Sequence, residues 1–476
     1  MTITRRGFVA GSAAMAMLPF SRVARAAALP GNIDVAIVGA GAAGIAAARR
    51  IAAAGKTVVV IEATASIGGR CSTDTSTFEV PFERGARWLY NTDANPVITA
   101  SRETDIMLAP APRGQRIRIG RRNARAGEME DFLALVVRAN RAMTEAVRGR
   151  PDVSAADALP KDLQEWGNTL DFFLGALATG CDLKDISAAD LLTMQPRDPA
   201  SSSRLGLGAM MARLAEKVPI VLSAPVTRLV WSGRDAQIET EAGTLSARAV
   251  IVTASTGVIN AGKIKFSPEL PKRQLDALSK LVLGSYDHIA LELSGNPLGL
   301  GRDDPYIEQS SDNRTAFLFA NSGGSSLCLV DVAGSFGSDL SAKGDAAMSA
   351  FAVEWLRKLF GGDVAKALKR TAATRWNDMP YAMGAMSAAL VGGQPSRKVL
   401  MEPLGPLFFA GDAIHDTQWG TVGGAWSSGE RAADAALRKL SGKVEGMAAQ
   451  EPGYEKPSRR SGGGAAGGLA WPKQRR

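Results

Sequence analysis

The stretch Asp34-Val-Ala-Ile-Val-Gly-Ala-Gly-Ala-Ala-Gly44, continued by Thr57-Val-Val-Val-Ile-Glu62 and Gly68-Gly-Arg70, decides the reading of the fold. Asp34 to Val38 has the apolar character of a buried parallel strand, Ala42 to Ala54 that of a small-residue helix, and Thr57 to Ile61 that of the next strand. In the turn between them Gly39 makes the tight bend, Gly41 admits a pyrophosphate to the backbone, and Gly44, after Ala43, lets helix and strand approach. Phosphate charge then sits at a helix N-terminus. A glycine-rich turn alone is weak evidence. The preceding strand, the following helix and Glu62 at the end of the next strand make this one specific. Glu62 suits ribose hydroxyls and repels a 2′-phosphate, so FAD or NAD is favoured over NADP. Gly68-Gly69-Arg70 separates these two, because an arginine after a flexible pair approaches the pyrophosphate as a fixed cation, which favours FAD.

Working outward, the 476 residues are 46% hydrophobic and 22% charged, enough for a large core and too long for one ordinary globular unit. The formal charge is +9; the first 26 residues hold Arg5, Arg6, Arg22 and Arg25 and no acid, so without them it falls by four to +5. The remaining basic residues are scattered among acids, which argues against nucleic acid as a partner. Cys71, Cys181 and Cys328 are widely spaced and form no CxxC, so neither a disulfide framework nor a zinc site is implied. Only His288 and His415 are present, and no metal is expected.

Thr4-Arg-Arg-Gly-Phe8, an apolar run to Phe20 and Ala24-Arg-Ala26 resemble a twin-arginine export signal over residues 1–26. The run is too short for a stable membrane span. The expected location is the periplasm, reached through the twin-arginine machinery, which carries folded proteins with cofactor inserted. Residues 442–476, rich in Gly, Ser, Lys, Arg and Pro, are expected to form a disordered tail.

Strand-like runs at Pro219–Leu222, Val226–Trp231, Gln237–Thr240 and Ala249–Thr253 return the chain to the first sheet, as does Leu407–Ala410. From Ala126 to Leu214 the apolar spacing is mostly helical, broken by a polar loop at Pro196–Ser203. Further strands are expected near His288–Leu293, Ala316–Ala320 and Leu327–Val332, with a helix at Ala346–Leu359. The implied architecture is α/β: a discontinuous Rossmann-like FAD-binding domain (33–85, 205–285 and 390–441) with an interleaved α+β substrate domain (86–204 and 286–389).

The motifs together resemble the flavin-containing amine oxidases, a family that includes monoamine, polyamine and L-amino-acid oxidases. The resemblance begins at Gly68–Arg70 and continues at Glu83-Arg-Gly-Ala-Arg-Trp88, where Gly85, Ala86, Arg87 and Trp88 match a segment beside the flavin. Near the C-terminus it continues in Phe408-Phe-Ala-Gly-Asp412, Gly420-Thr-Val-Gly-Gly-Ala425 and Ser428-Gly-Glu-Arg-Ala432. It implies that Gly411 and Asp412 bind the ribityl or pyrophosphate region and that Val226 flanks the adenine. It also implies that Val422, after Thr421 at a helix start, stabilises negative charge at flavin N1/O2. Trp376, Pro380, Tyr381 and Gly384 resemble the family's Trp-x-x-x-Pro segment.

Three departures matter. Many members place a lysine four residues after a glycine on one strand, near flavin N5; Gly284-Ser-Tyr-Asp-His288 puts histidine there. Strand alternation separates His288, Ala290 and Glu292 from Ile289, Leu291 and Leu293, so His288 is either flavin-facing and catalytic or a satisfied structural histidine. Met386 and Thr421 match the two aromatic cage residues of monoamine oxidases, which makes simple aryl-alkyl amines poor candidates. Ala385 matches the cysteine that links the flavin in those enzymes, so noncovalent FAD is expected. Tyr381, Met386, Trp419 and Thr421 are the expected pocket residues, with Trp426 as a further wall.

The resemblance implies an oxidase of amines or amino acids, with hydride transfer from the C–N carbon to flavin N5, imine hydrolysis, and reoxidation by dioxygen to hydrogen peroxide. Two alternatives stay open: a flavin desaturase or dehydrogenase serving a periplasmic acceptor, and a noncatalytic FAD-binding or assembly protein. A homodimer is also left open.

Overall fold

The computed structural model describes residues 32–112, 114–197 and 199–442. The export signal and, apart from Gly442, the tail lie outside the described residues. The first sheet grows from strand β1 (Asn32–Val38), helix α1 (Ala42–Ala53) and strand β2 (Val58–Ile61). β1 pairs in parallel with β2, from Val35 opposite Val58 to Val38 opposite Ile61. On its other side it pairs in parallel with Gly243–Val252, from Asn32 opposite Ser246 to Val38 opposite Val252. Ile220–Val221 extends the sheet beyond β2, and Leu407–Phe409 pairs in parallel with the C-terminal half of Gly243–Val252. The antiparallel strands Ala236–Thr240 and Val226–Val230, then Lys265–Ser267, complete eight strands.

Both faces of this sheet are covered, which explains its near-continuous apolar strands. Val35, Ile37, Val58, Val60, Ala249 and Ile251 pack against α1 and the helix Val422–Leu440. Their neighbours Ala36, Val38, Val59, Ile61, Val250 and Val252 point the other way, into a core shared with Leu229, Ile238, Val258 and Leu278. The α1 contact is made backbone to backbone. A Cβ at Gly44 would lie 1.9 Å from the Gly39 carbonyl oxygen, and one at Gly429 would lie 2.1 Å from that of Ala43. Glycine is therefore required at both by contact distance alone.

A second sheet runs in the order Leu368–Ala373, Tyr286–Leu293, Leu327–Ala333, Phe317–Ala320, Asp304–Glu308, Arg116–Ile119 and Arg122–Asn123. Ile289, Leu291 and Leu293 face the helix Asp345–Phe360 through Met348, Trp355 and Leu356, while Ala290 lies on the opposite face. The helix Ala126–Val147 anchors a third core with Phe132, Trp166 and Phe173. The mixed α/β fold follows the expectation.

One expected loop is different. Pro199–Ser203 is a strand, antiparallel to both Leu89–Tyr90 and Leu108–Pro110. Serine-rich sequence has little intrinsic strand preference, so these distant partners' backbone groups decide its conformation.

Gly429→Val is expected to push Val422–Leu440 off α1 at a cost of about 2–3 kcal/mol. A thermal melt of the flavin-loaded protein should show a midpoint several degrees lower; an unchanged midpoint would mean that this helix contact is not needed at close range.

Candidate active site

The C-terminal ends of β1 and β2 open into a cavity of about 1790 Å³ that continues to the second sheet. Its walls include Gly39, Gly41, Ala43, Glu62, Gly69, Arg70, Gly85, Ala86, Arg87, Trp88, Val226, Gly411, Asp412, Thr421 and Val422. Gly44 instead sits behind the turn, against Gly39. Tyr381, Met386 and His288 line the same space. Trp419 and Trp426 do not: both indoles are buried in cores, because their flat apolar area is worth more against the helices than against solvent.

At the turn, Glu62 accepts hydrogen bonds from the Ala40 N–H at 2.7 Å and from the Thr64 N–H and hydroxyl at 2.8 Å each. Gly68 N–H donates to the Ala40 carbonyl, which closes the second glycine segment over the first. A Cβ at Gly41 would meet nothing nearer than the Gly68 carbonyl oxygen at 3.9 Å, and one at Gly411 would meet nothing within 4 Å. The room kept open by these glycines, the helix α1 N-terminus without a side-chain cap, and Glu62 together fit a dinucleotide.

Arg70 joins the two ends of the chain. It donates through Nη2 to Asp412 Oδ1 at 2.6 Å and through Nη1 to Asp412 Oδ2 at 3.2 Å and the Ala385 carbonyl at 2.5 Å. Burial pushes the Asp412 carboxyl up, but the Arg70 guanidinium and the Ser387 hydrogen bonds outweigh it, and the group lies below the usual carboxylate range. Thr421 caps Val422–Leu440 by accepting from Gly424 N–H at 3.0 Å, leaving the first helical N–H groups at the cavity wall.

At the opposite wall His288 is buried in a polar network. Its Nδ1 lies 2.6 Å from Asp331 Oδ1 and its Nε2 lies 3.0 Å from the Gly85 carbonyl oxygen. Arg87 Nη2 donates to both Asp331 oxygens, at 3.1 and 3.0 Å, and lies 3.0 Å from His288 Nδ1; the Tyr286 hydroxyl donates to Asp331 Oδ2 at 2.9 Å. Although burial opposes ionisation, Arg87 and His288 hold the Asp331 carboxyl below its ordinary range. His288 is thus both hydrogen-bonded at each ring nitrogen and part of the cavity wall.

The model of the family described as flavin containing amine oxidoreductase matches residues 42–437. The chain belongs to that family. Among curated relatives, this amine oxidoreductase is 27% identical over 450 residues to polyamine oxidase 5 of Oryza sativa subsp. japonica, covering 86% of this chain and 88% of that one. It is 28% identical over 446 residues to probable polyamine oxidase 4 of Arabidopsis thaliana, with 86% and 87% covered. Lysine-specific histone demethylase 2 of Homo sapiens is 27% identical over 437 residues, which cover 84% of this chain and 53% of that protein. The fold is shared with putrescine oxidase bound to putrescine (TM-score 0.74, 20% identity, 85% of this chain and 99% of that one). It is shared equally with cyclohexylamine oxidase from Brevibacterium oxydans IH-35A (TM-score 0.72, 19% identity, 86% and 99%).

Several residues of the amine oxidoreductase's cavity carry no local sequence signal. Asp331, Tyr286, Tyr90 and Arg197 line it from separate strands and loops, and only the folded chain brings them together. Glu83, the acid that opens the Glu83–Trp88 segment, does not line the cavity. It is buried behind Arg84 and Gly85, accepting from the Thr73 hydroxyl at 2.7 Å and from Leu207 N–H, at the start of Leu207–Leu214, at 2.6 Å.

Burial raises the Glu83 carboxyl to about 7, against the opposing hydrogen bonds from Thr73 and Leu207. A folded-state value above the unfolded one means stability present at low pH and lost as pH rises through the folded value. On the order of 3 kcal/mol should be lost between about pH 4.5 and 7. Glu83→Gln should flatten that part of the pH profile of urea-unfolding midpoints; parallel profiles would show that Glu83 folds already ionised.

Proposed function

We propose that this amine oxidoreductase uses noncovalently held FAD to oxidise the carbon–nitrogen bond of a small amine or amino acid to an imine, with dioxygen as electron acceptor. The observation that carries this reading is a single cavity running from the dinucleotide turn to the His288–Asp331 wall. When bound, the flavin supplies the two-electron oxidation. Water then hydrolyses the imine to a carbonyl compound and ammonia or an amine, and dioxygen takes up the two electrons as hydrogen peroxide.

The chain's own residues do the holding. Glu62 and the Gly39–Gly44 turn suit the ribose and phosphates, Arg70 and Asp412 the middle of the cofactor, and Thr421 and Val422 its anionic edge. His288, with Nδ1 facing Asp331 and Nε2 facing the Gly85 carbonyl, is fixed at the cavity wall and would be the residue there to assist reduction of dioxygen. Noncovalent attachment is supported by Ala385 at the position of the family's linking cysteine. Of the three thiols only Cys71 lines the cavity, and burial pushes it up to about 12, far from a reactive thiolate. The N-terminal arginine pair supports export of the loaded enzyme to the periplasm.

Acid precipitation of the purified holoenzyme should leave all the yellow colour in the supernatant; colour in the pellet would rule out noncovalent attachment. A panel of amines and amino acids should contain members that bleach the flavin anaerobically and yield peroxide in air. Bleaching without peroxide would point to a different acceptor, and no bleaching by any member would overturn the enzyme's proposed reaction. His288→Ala should slow reoxidation by oxygen at least about tenfold in stopped flow; an unchanged rate would remove the histidine from this role.

A further inference from the structure

We infer that the substrate carries a carboxylate, that Arg197 binds it, and that the enzyme therefore prefers an apolar amino acid to the corresponding amine or to a diamine. The inference deepens the oxidase reading and rests on it.

Arg197 lines the cavity yet is only 5% exposed. Its Nη1 donates to the Ala178 carbonyl and its Nη2 to the Trp419 carbonyl at 2.6 Å, while Nε is buried with no partner among the described residues. Among those residues no carboxylate lies within ion-pair distance of it. Carbonyl oxygens satisfy hydrogens but not a full charge, and a buried cation without a counter-ion is costly. Burial accordingly pushes the Arg197 guanidinium below its ordinary range. The side chain is also held in place: it lies 5.3 Å from the centroid of the Trp419 ring, and Arg397, paired with Asp190, lies 4.6 Å from the same ring. A rigid guanidinium with no carboxylate in ion-pair contact among the described residues is the arrangement that recognises a carboxylate.

The acids of the cavity point the same way. Glu62 is bonded to Ala40 and Thr64, Asp331 to Arg87, His288 and Tyr286, and Asp412 to Arg70. The other lining carboxylates, Asp93 and Glu241, are exposed. Among the described residues no interior acid is thus left to receive the second ammonium of a diamine, whereas the buried Arg197 is left to receive an anion. Phe173, Leu177, Met194 and Met386 supply apolar wall in the same cavity, which suits an aliphatic or aromatic side chain.

The test uses the FAD-loaded full chain. Titration with 4-methylpentanoate, which is leucine without its amine, should perturb the flavin spectrum and bind at least about 30-fold more tightly than 4-methylpentan-1-ol. Arg197→Gln should abolish that difference and Arg197→Lys should restore part of it, both with wild-type flavin content. One enantiomer of leucine should exceed 3-methylbutylamine and putrescine by about 100-fold or more in kcat/KM, mostly through KM, and Arg197→Gln should erase the margin. Equal binding of acid and alcohol, an acid preference that survives in Arg197→Gln, or loss of flavin from both variants would overturn the assignment. Turnover of the amines without leucine would overturn it and leave the oxidase reading standing. Arg197-dependent binding of 4-methylpentanoate without reduction by any compound would uphold the carboxylate site and sink the oxidase reading.

Discussion

Everything at the cofactor end depends on one constraint: helix α1 must lie at backbone contact with the turn that precedes it and with the last helix of the chain. Gly44 against Gly39 and Gly429 against Ala43 make this possible, since any side chain there would occupy the position of a carbonyl oxygen. The close approach does more than tighten a core. It carries Asp412 and Val422, nearly four hundred residues after the dinucleotide turn, to the same cavity, where Arg70 ties them in.

That pair illustrates how charge is arranged throughout the interior. Arg70 faces Asp412, Arg87 faces Asp331, and Arg397 faces Asp190, each pair buried or nearly so. Such pairs add little net stability over an apolar alternative, but removing one partner leaves an expensive charge behind. They therefore fix relative positions: N-terminal to C-terminal segment in the first pair, the Gly85–Trp88 segment to the second sheet in the next. Against this background Arg197 stands apart: among the described residues its partners are carbonyls and an aromatic ring.

The histidine that stands where the resemblance leads one to expect a lysine has a structural counterpart. A lysine is a flexible point charge, whereas His288 is locked by Asp331 on one side and the Gly85 carbonyl on the other. Gly85 belongs to the segment beside the dinucleotide turn, so the second sheet is coupled to the cofactor end through this ring. A residue read from sequence as either structural or flavin-facing is in fact satisfied at every polar atom and still part of the wall.

From its sequence alone the protein disclosed the fold class and the family, and it singled out many of the residues that line the cavity. Those rest on short-range physics: glycines that a tight turn demands, apolar runs that a doubly covered sheet demands, and an acid at a strand end. The strand at Pro199–Ser203, the burial of Trp419, and the meeting of Tyr286, Asp331, Arg87 and His288 were decided by tertiary structure. Each depends on a partner far along the chain whose hydrogen bonds or charge override local preference. The same holds for Arg197: an arginine in a polar loop has no signature in sequence, and only burial with no counter-ion among the described residues makes it informative.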